Sequence, residues 1–321
     1  AQDYPADRRQ ILVLSDASTD RTDEIVTSYA SRGVELLRMP VRGGKTAAEN
    51  ASIARIRGDI VVNTDSSVRL HPHAVRLLVE GMADPTVGVA STRDISVTSA
   101  KGANQAEAGY VGYEMRVRAL ETGAGGIVGA SGSGYAIRKP LHMGRVREDL
   151  SRDFAAALTA RRHGFRAIAV EAAICYVPRS MSLRLEYRRK VRTISRGMET
   201  LYFNRDLLNP LVYGSFAWKL FSHKLCRWFV SISAVPALIG LALLSAVVPW
   251  SWVLLAGAVG LATVAVVGAR WPDGRPMPAW LPIGVVGALA ANLAVVHSAW
   301  RFLHGHQDHV WEPTRRATAS A

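Results

Sequence analysis

Two stretches, ILVLSDAST at residues 11–19 and DIVVNTDSS at residues 59–67, each run an apolar strand into an acidic turn. In open α/β sheets ligands sit beyond the carboxyl ends of the strands, so the pattern places Asp16 and Asp65 on one crevice. Around these two, strand-like and helix-like runs alternate at 11–14, 23–31, 34–38, 45–56, 60–63, 72–82 and 87–91. That order predicts a mostly parallel sheet with helices on both faces. Asp20 or Thr19 can cap the first helix, Asp23 and Glu24 complement its dipole, and Gly33 ends it. Further along, the pattern predicts a strand at 95–98, a long helix at 104–121, a helix at 154–162 closed by Gly164, a strand at 167–170 and a strongly basic helix at 182–200.

The second half reads differently. From 228 to 248, from 252 to 267 and from 281 to 300 the chain carries almost no charge. Each stretch approaches the roughly 20 residues that cross a bilayer as a helix, and none shows the polar stripe of a surface helix. Trp228, Trp250, Trp252, Trp280 and Trp300 fall near segment ends, where amphipathic rings favour the interface. Arg227, Arg270 and Arg275 place the start of the first span and the loop between the second and third on the cytoplasmic side. Three spans would then put Arg301, Arg315 and Arg316 on the far side, against the positive-inside bias. Either one segment is re-entrant or interfacial, or the tail crosses despite its charge. Residues 206–224, which mix aromatics with Lys219 and Lys224, suit an amphipathic helix at the membrane surface.

These readings divide the 321 residues into a cytosolic domain at 1–200, an interfacial segment at 201–226, about three transmembrane helices at 227–303 and a tail at 304–321. The expected localisation is a multi-pass protein of the cell membrane. The first apolar run begins only at Ile11, so at least one more strand and helix are expected upstream. The formal net charge of +13 comes mostly from Arg and suits anionic lipid headgroups or an anionic substrate. Nucleic acid is not an expected partner, since no zinc spacing, RNA-binding signature or basic helix with aromatic interleaving is present. Cys175 and Cys226 have no CxxC or CxxH neighbour, which fits reduced thiols. The closely spaced His304, His306 and His309 read as interfacial or solvated groups.

Several residues carry chemistry on their own terms. Asp16 can accept hydrogen bonds from a base or ribose, or it can serve an ordinary Asx turn or helix cap. Lys45 follows two glycines, and a Gly-Gly-Lys turn entering a helix brings amides and an ammonium toward a phosphate or base. The P-loop pattern would need Gly where Met39 stands, so GGKT is not an ATPase site. Asp65, at a strand end, offers a carboxylate to a hard divalent cation bridging two phosphates. The small residues at 129–134 let a substrate approach the backbone closely.

The series DASTDRT (16–22), RGGK (42–45), NTDSS (63–67), GASGSGYAIR (129–138), SRDFAAALTARRHG (151–164) and RRKVRT (188–193) resembles the membrane-embedded family 2 glycosyltransferases, such as cellulose and hyaluronan synthases. The resemblance implies an α/β fold, a Rossmann-like GT-A nucleotide-sugar domain followed by C-terminal transmembrane helices. It implies an inverting transfer of a sugar from a nucleotide sugar, most commonly a UDP-sugar, to a hydroxyl of a polysaccharide or lipid-linked acceptor. Asp16 would contact the nucleoside, with Ser15 standing where a second acid is usual. Asp65 would hold Mg²⁺ or Mn²⁺, although the usual Asp-x-Asp reads Asp65-Ser66-Ser67. Lys45, Arg189 and Arg192 would meet the diphosphate, Arg192 occupying the arginine position of a QxxRW motif that lacks its Gln and Trp. For the general base, Glu148-Asp149 competes with Asp153, and counting back from Gly164 selects Asp153. Two other classes remain: a membrane-anchored nucleotide-binding scaffold that has lost transfer, for which Ser15, Ser67 and Arg152 in place of acids argue, and a transporter, whose spans should hold more charge than Asn292 and His297 supply.

Overall fold

The structure is a computed structural model that describes residues 2–97, 105–178, 183–272 and 283–306. In chain order the α/β part contains β1 (Ile11–Ser15), α1 (Thr22–Ser28), β2 (Val34–Arg38), α2 (Lys45–Ser52), β3 (Ile60–Thr64), β4 (Arg69–Leu70), α3 (Ala74–Gly81), β5 (Val87–Val97), α4 (Gln105–Gly123), β6 (Gly134–Arg138), α5 (Lys139–His142), α6 (Arg152–Arg162), β7 (Arg166–Pro178) and α7 (Leu183–Phe203). The short helices α8 (Pro210–Tyr213) and α9 (Ser215–Leu220) and a π-helical turn (Phe221–Cys226) lead into α10 (Arg227–Ser245), α11 (Ser251–Ala269) and α12 (Ile283–Leu303). Thr98 of the strand predicted at 95–98, and Arg275, Trp280, His309, Arg315 and Arg316 of the predicted loop and tail, lie outside the described residues.

The alternating pattern yields a Rossmann-like α/β domain, but the expected mostly parallel sheet is corrected. A parallel pair, β1-β2, stands beside a five-stranded sheet of order β3-β6-β5-β7-β4. In the larger sheet only β5 and β7 run parallel, while β3-β6, β5-β6 and β4-β7 are antiparallel. The apolar patterns identify each run as a strand and carry no information about its direction, which is set by connections such as the glycine-rich loop that turns β6 back between β3 and β5. The runs predicted at 87–91 and 95–98 join in one strand, β5. Its ladder shifts partners between Thr92–Val170 and Arg93–Ile174, so residues 171–173 bulge from β7 and both strands continue past the predicted ends. The first helix forms but is shorter than expected: Arg21 stands at its N-cap while the Thr22 amide donates to Asp20 Oδ1 at 3.0 Å, and after Ser28 a separate 3₁₀ turn, Ala30–Arg32, is the element that Gly33 closes with φ of 80°.

Two apolar cores position the site. One, between sheet and α6, contains Val89, Ile127, Tyr135, Ile137, Ala156 and Ala160. The other joins Val128, Phe154 and Leu158 to Leu201, Leu207, Phe216 and Leu220, so the short helices before α10 pack directly beneath the glycine-rich loop and α6. Three stretches, Ser215–Ser245, Ser251–Gly268 and Val286–Leu303, are long and apolar enough to cross a membrane. They overlap the three spans predicted from composition, and the first begins inside the segment predicted as interfacial. α12 also packs along α7: Ser298 Oγ donates to the Val191 carbonyl at 3.0 Å, and Tyr187 Oη lies 3.1 Å from His297 Nδ1.

Candidate active site

β1 and β3 deliver Asp16 and Asp65 at their carboxyl ends, and the loop from Arg42 to Gly44 bridges them. Both Asp16 oxygens accept backbone bonds, Oδ1 from the Gly43 amide and Oδ2 from the Gly44 amide, each at 2.8 Å. Asp16 thus grips the turn that starts α2. Gly44, with φ of 87°, takes a conformation that a side chain would strain. The turn aims Lys45 across the crevice, where its Nζ donates to Asp65 Oδ1 at 2.6 Å and to the Gly132 carbonyl at 3.2 Å. Burial disfavours this ammonium, but Glu49, Asp65 and Asp153 outweigh burial and hold its pKa above the usual lysine value.

Gly132 also meets the first turn of α6. A methyl group on its α-carbon would lie 2.8 Å from Asp153 Oδ2, so the absence of a side chain is what lets that carboxylate approach the loop. Asp153 Oδ1 accepts from Ser151 Oγ at 2.5 Å. The loop itself is pinned from the sheet side: the Ser131 amide donates to Ser91 Oγ at 2.8 Å, Ser131 Oγ to Asp94 Oδ2 at 2.6 Å, and Thr92 Oγ1 to the Gly134 carbonyl at 2.8 Å. Lys45, Asp65 and Asp153, drawn from three distant parts of the sequence, therefore converge on Gly132.

The basic helix divides its residues differently. Arg189 Nη2 donates to Glu186 Oε1 at 2.6 Å, one turn earlier on α7, so its guanidinium is engaged in a local ion pair. Arg192 stands one turn before Arg196, at a spacing that places both on one helix face. Arg196 Nη2 donates to Thr46 Oγ1 at 3.0 Å and to the Glu148 and Leu150 carbonyls at 2.7 Å each, which fastens α7 to the first turn of α2.

Two residues of this site, Arg196 and Glu49, escaped the sequence reading, and a third, Arg152, is placed differently from what its sequence position suggests. Arg196 was masked by the many arginines of its helix. Glu49 is buried on α2, and its Oε2 makes no hydrogen bond. Burial raises its pKa, against the attraction of Lys45 and Arg152. Its place in the apolar rhythm of α2 was the available signal. The buried Arg152 turns away from its neighbour Asp153, donating to Asn50 Oδ1 at 2.6 Å and the His142 carbonyl at 2.9 Å, with Nε 3.8 Å from Glu49.

Among the described residues no three His, Cys, Asp or Glu side chains stand together as a metal cage. One strand-end carboxylate with an open face fits another type of site, in which a divalent ion is held by one or two carboxylates and completed by substrate phosphates and water. Asp65 meets that requirement, with Lys45 already at one of its oxygens.

A Rossmann-like layer whose strand-end acids face a Gly-Gly-Lys turn, a glycine-rich loop and a carboxylate at a helix start is a GT-A glycosyltransferase fold. Residues 1–140 match the family model described as glycosyl transferase family 2. Among relatives, it is 34% identical over 95 residues to the beta-monoglucosyldiacylglycerol synthase of a Synechocystis species, covering 28% of this chain and 20% of that protein. It is also 34% identical over 88 residues to an N-acetylglucosaminyltransferase of Rhizobium leguminosarum bv. trifolii, covering 26% of this chain and 48% of that one. The chain thus spans between a fifth and a half of these relatives' length. In three dimensions it is similar to the mannosyltransferase PcManGT from Pyrobaculum calidifontis, solved with GDP-Man and Mn²⁺, with TM-score 0.68, 22% identity, and coverage of 94% of this chain and 80% of that one.

Proposed function

We propose that the protein is a membrane-bound inverting glycosyltransferase that moves a sugar from a nucleoside diphosphate sugar to a hydroxyl of a polysaccharide or lipid-linked acceptor. The observation that carries this reading is the meeting of Lys45, Asp65 and Asp153 at Gly132. In this reading Asp65 and Lys45 serve the cation and the phosphates on one side of the small-residue loop, and Asp153 is the base on the other.

In this reading Asp153 takes the proton of the acceptor hydroxyl as that oxygen attacks the anomeric carbon. The bond from that carbon to the diphosphate breaks from the opposite side, and the anomeric centre inverts. Lys45 and Arg192 receive the charge that develops on the departing diphosphate. Asp65 would hold Mg²⁺ or Mn²⁺, which neutralises the phosphates when bound. Asp16 acts on the nucleoside end by fixing the Gly43-Gly44 turn. A catalytic domain on the cytoplasmic face of the cell membrane fits Arg227 and Arg270 at the helix ends. A lipid acceptor is consistent with the name of the Synechocystis relative, and PcManGT supports a nucleotide sugar with Mn²⁺.

The test is nucleoside diphosphate release by the whole protein in native-like membranes, across a panel of UDP-, GDP- and dTDP-sugars, with and without Mn²⁺. Release from one donor that disappears in Asp153→Asn is the expected result. Nucleotide binding without release from any donor, with acceptor lipids present, would instead support a scaffold.

A further inference from the structure

The glycine-rich loop has a second end. Where Gly132 meets Asp153, Gly129 three residues earlier faces the membrane-type helices: a methyl group there would lie 3.9 Å from Lys224 Nζ and 3.2 Å from the Phe154 ring. Lys224 lies in the π-helical turn immediately before α10, with its ammonium 5.1 Å from the Phe154 ring centroid. It makes no hydrogen bond among the described residues. π turns within helices recur at functional sites.

Arg118, on α4, stands at the same place. Its Nη2 donates to the Ala130 carbonyl at 3.4 Å, while its Nε and Nη1 are buried and make no hydrogen bond. Lys224 is attracted by Glu114 and Glu121 and repelled by Arg118 and Arg227. The nearby carboxylates are already committed. Glu114 takes Arg227 and, at 3.1 Å, His223 Nε2, whereas Glu121 takes His223 Nδ1 at 2.7 Å and the Val128 amide at 3.4 Å. Lys219 is spent on the Ala124 and Gly126 carbonyls. Three basic groups, Arg118, Lys224 and Arg227, thus face two carboxylates. Lys224 and two of the three guanidinium nitrogens of Arg118 lack hydrogen-bond acceptors among the described residues, and unmade hydrogen bonds on buried nitrogens are costly.

We propose that Arg118 and Lys224 form a binding site for a phosphate-type anion at the membrane-proximal end of the glycine-rich loop, and that the anion is the headgroup of a lipid acceptor. Guanidinium and ammonium donors converging from α4 and the π turn match phosphate oxygens. The position before α10 is where a lipid headgroup lies if that helix spans a bilayer. From Gly129 to Gly132 the chain covers at most roughly 11 Å. A lipid held by its charged group at one end can therefore present a hydroxyl to Asp153 at the other. The acceptor role rests on the transferase reading above; the anion site does not.

The experiment measures binding rather than transfer. The whole protein in nonionic detergent is titrated calorimetrically with dihexanoyl phosphatidic acid, dihexanoyl phosphatidylcholine and inorganic phosphate, alongside Arg118→Gln, Arg118→Lys and Lys224→Gln. The thermal unfolding midpoint serves as the check that each variant is folded. Phosphatidic acid should bind, phosphatidylcholine should not, and affinity should fall at least tenfold in both Gln variants and less in Arg118→Lys. Inorganic phosphate binding as tightly, with the same losses, would keep the anion site and overturn the lipid as its source. Affinities within twofold of the parent protein in both Gln variants would overturn the site. Displacement of phosphatidic acid by nucleoside diphosphate, with matching losses of nucleotide affinity, would overturn it too by giving the pair to the donor. If phosphatidic acid binds as expected but no donor releases diphosphate, the transferase reading fails alone.

Discussion

Lys45 and Asp65 form an ion pair across the crevice, Nζ to Oδ1 at 2.6 Å, with the Gly132 carbonyl as third partner. The ammonium occupies one oxygen of the carboxylate assigned to the metal, so the two cations compete until phosphates arrive to neutralise both. Lys45→Met should raise Mn²⁺ affinity several-fold without nucleotide and lower nucleoside diphosphate affinity at least tenfold. Calorimetry of both ligands checks this. Parallel losses of both affinities would contradict the competition.

Asp153 is predicted to be the base. Asp153→Asn keeps the shape and the Ser151 contact but cannot take a proton, and general-base catalysis contributes typically 10²- to 10⁴-fold. Turnover should drop within that range with nucleotide affinity near normal. Unchanged turnover removes Asp153 from this role.

Gly132→Ala is the sharpest geometric test. The added methyl would stand 2.8 Å from Asp153 Oδ2, and the carboxylate can move aside without disturbing the fold. The expected outcome is a loss of at least tenfold in kcat with a thermal unfolding midpoint close to that of the parent. A large drop in that midpoint would show that the position matters for packing instead.

Asp16→Ala frees the amides of Gly43 and Gly44 together. Losing two such bonds costs about 1–3 kcal/mol of stability and loosens the turn that aims Lys45. The donor KM should therefore rise more than kcat falls. Asp16→Asn should recover part of the stability, since one amide oxygen can still accept. A KM equal to that of the parent protein in Asp16→Ala would separate the turn from donor binding.

His142 gives an acid-sensitive term. Burial, and then the Arg152 guanidinium, push its pKa down to about 4, against 6.5 for the free side chain. Between those values the unfolded chain binds the proton more readily than the folded one, so stability falls as pH drops from 6.5 toward 4. The loss is on the order of 2–3 kcal/mol at the lower end. His142→Gln should flatten this part of a plot of unfolding midpoint against pH, and identical slopes for both proteins would refute the assignment.

Sequence alone placed Asp16, Lys45 and Asp65, because strand ends and a Gly-Gly-Lys turn are local signals. Asp153 required counting from Gly164 along the motif spacing that the family resemblance implies. What stayed hidden is contact across the fold. Nothing in the vicinity of Asp16 announces that its two oxygens hold amides 27 and 28 residues away. Arg189 and Arg192 look alike in a basic helix, and only the structure shows Glu186 paired with Arg189. The direction of β6 was equally invisible, since an apolar strand of GYAIR type pairs either way.

The core shared by Phe154 and Leu158 with Phe216 and Leu220 has a practical consequence. A soluble fragment ending ahead of Ser215 would leave the apolar underside of α6 exposed to water right behind Asp153. Such a fragment should aggregate, or fold with Asp153 displaced. The apolar segment from Ser215 thereby serves as a footing for the first turn of α6, so that exchanging it for another apolar segment should shift the carboxylate above it.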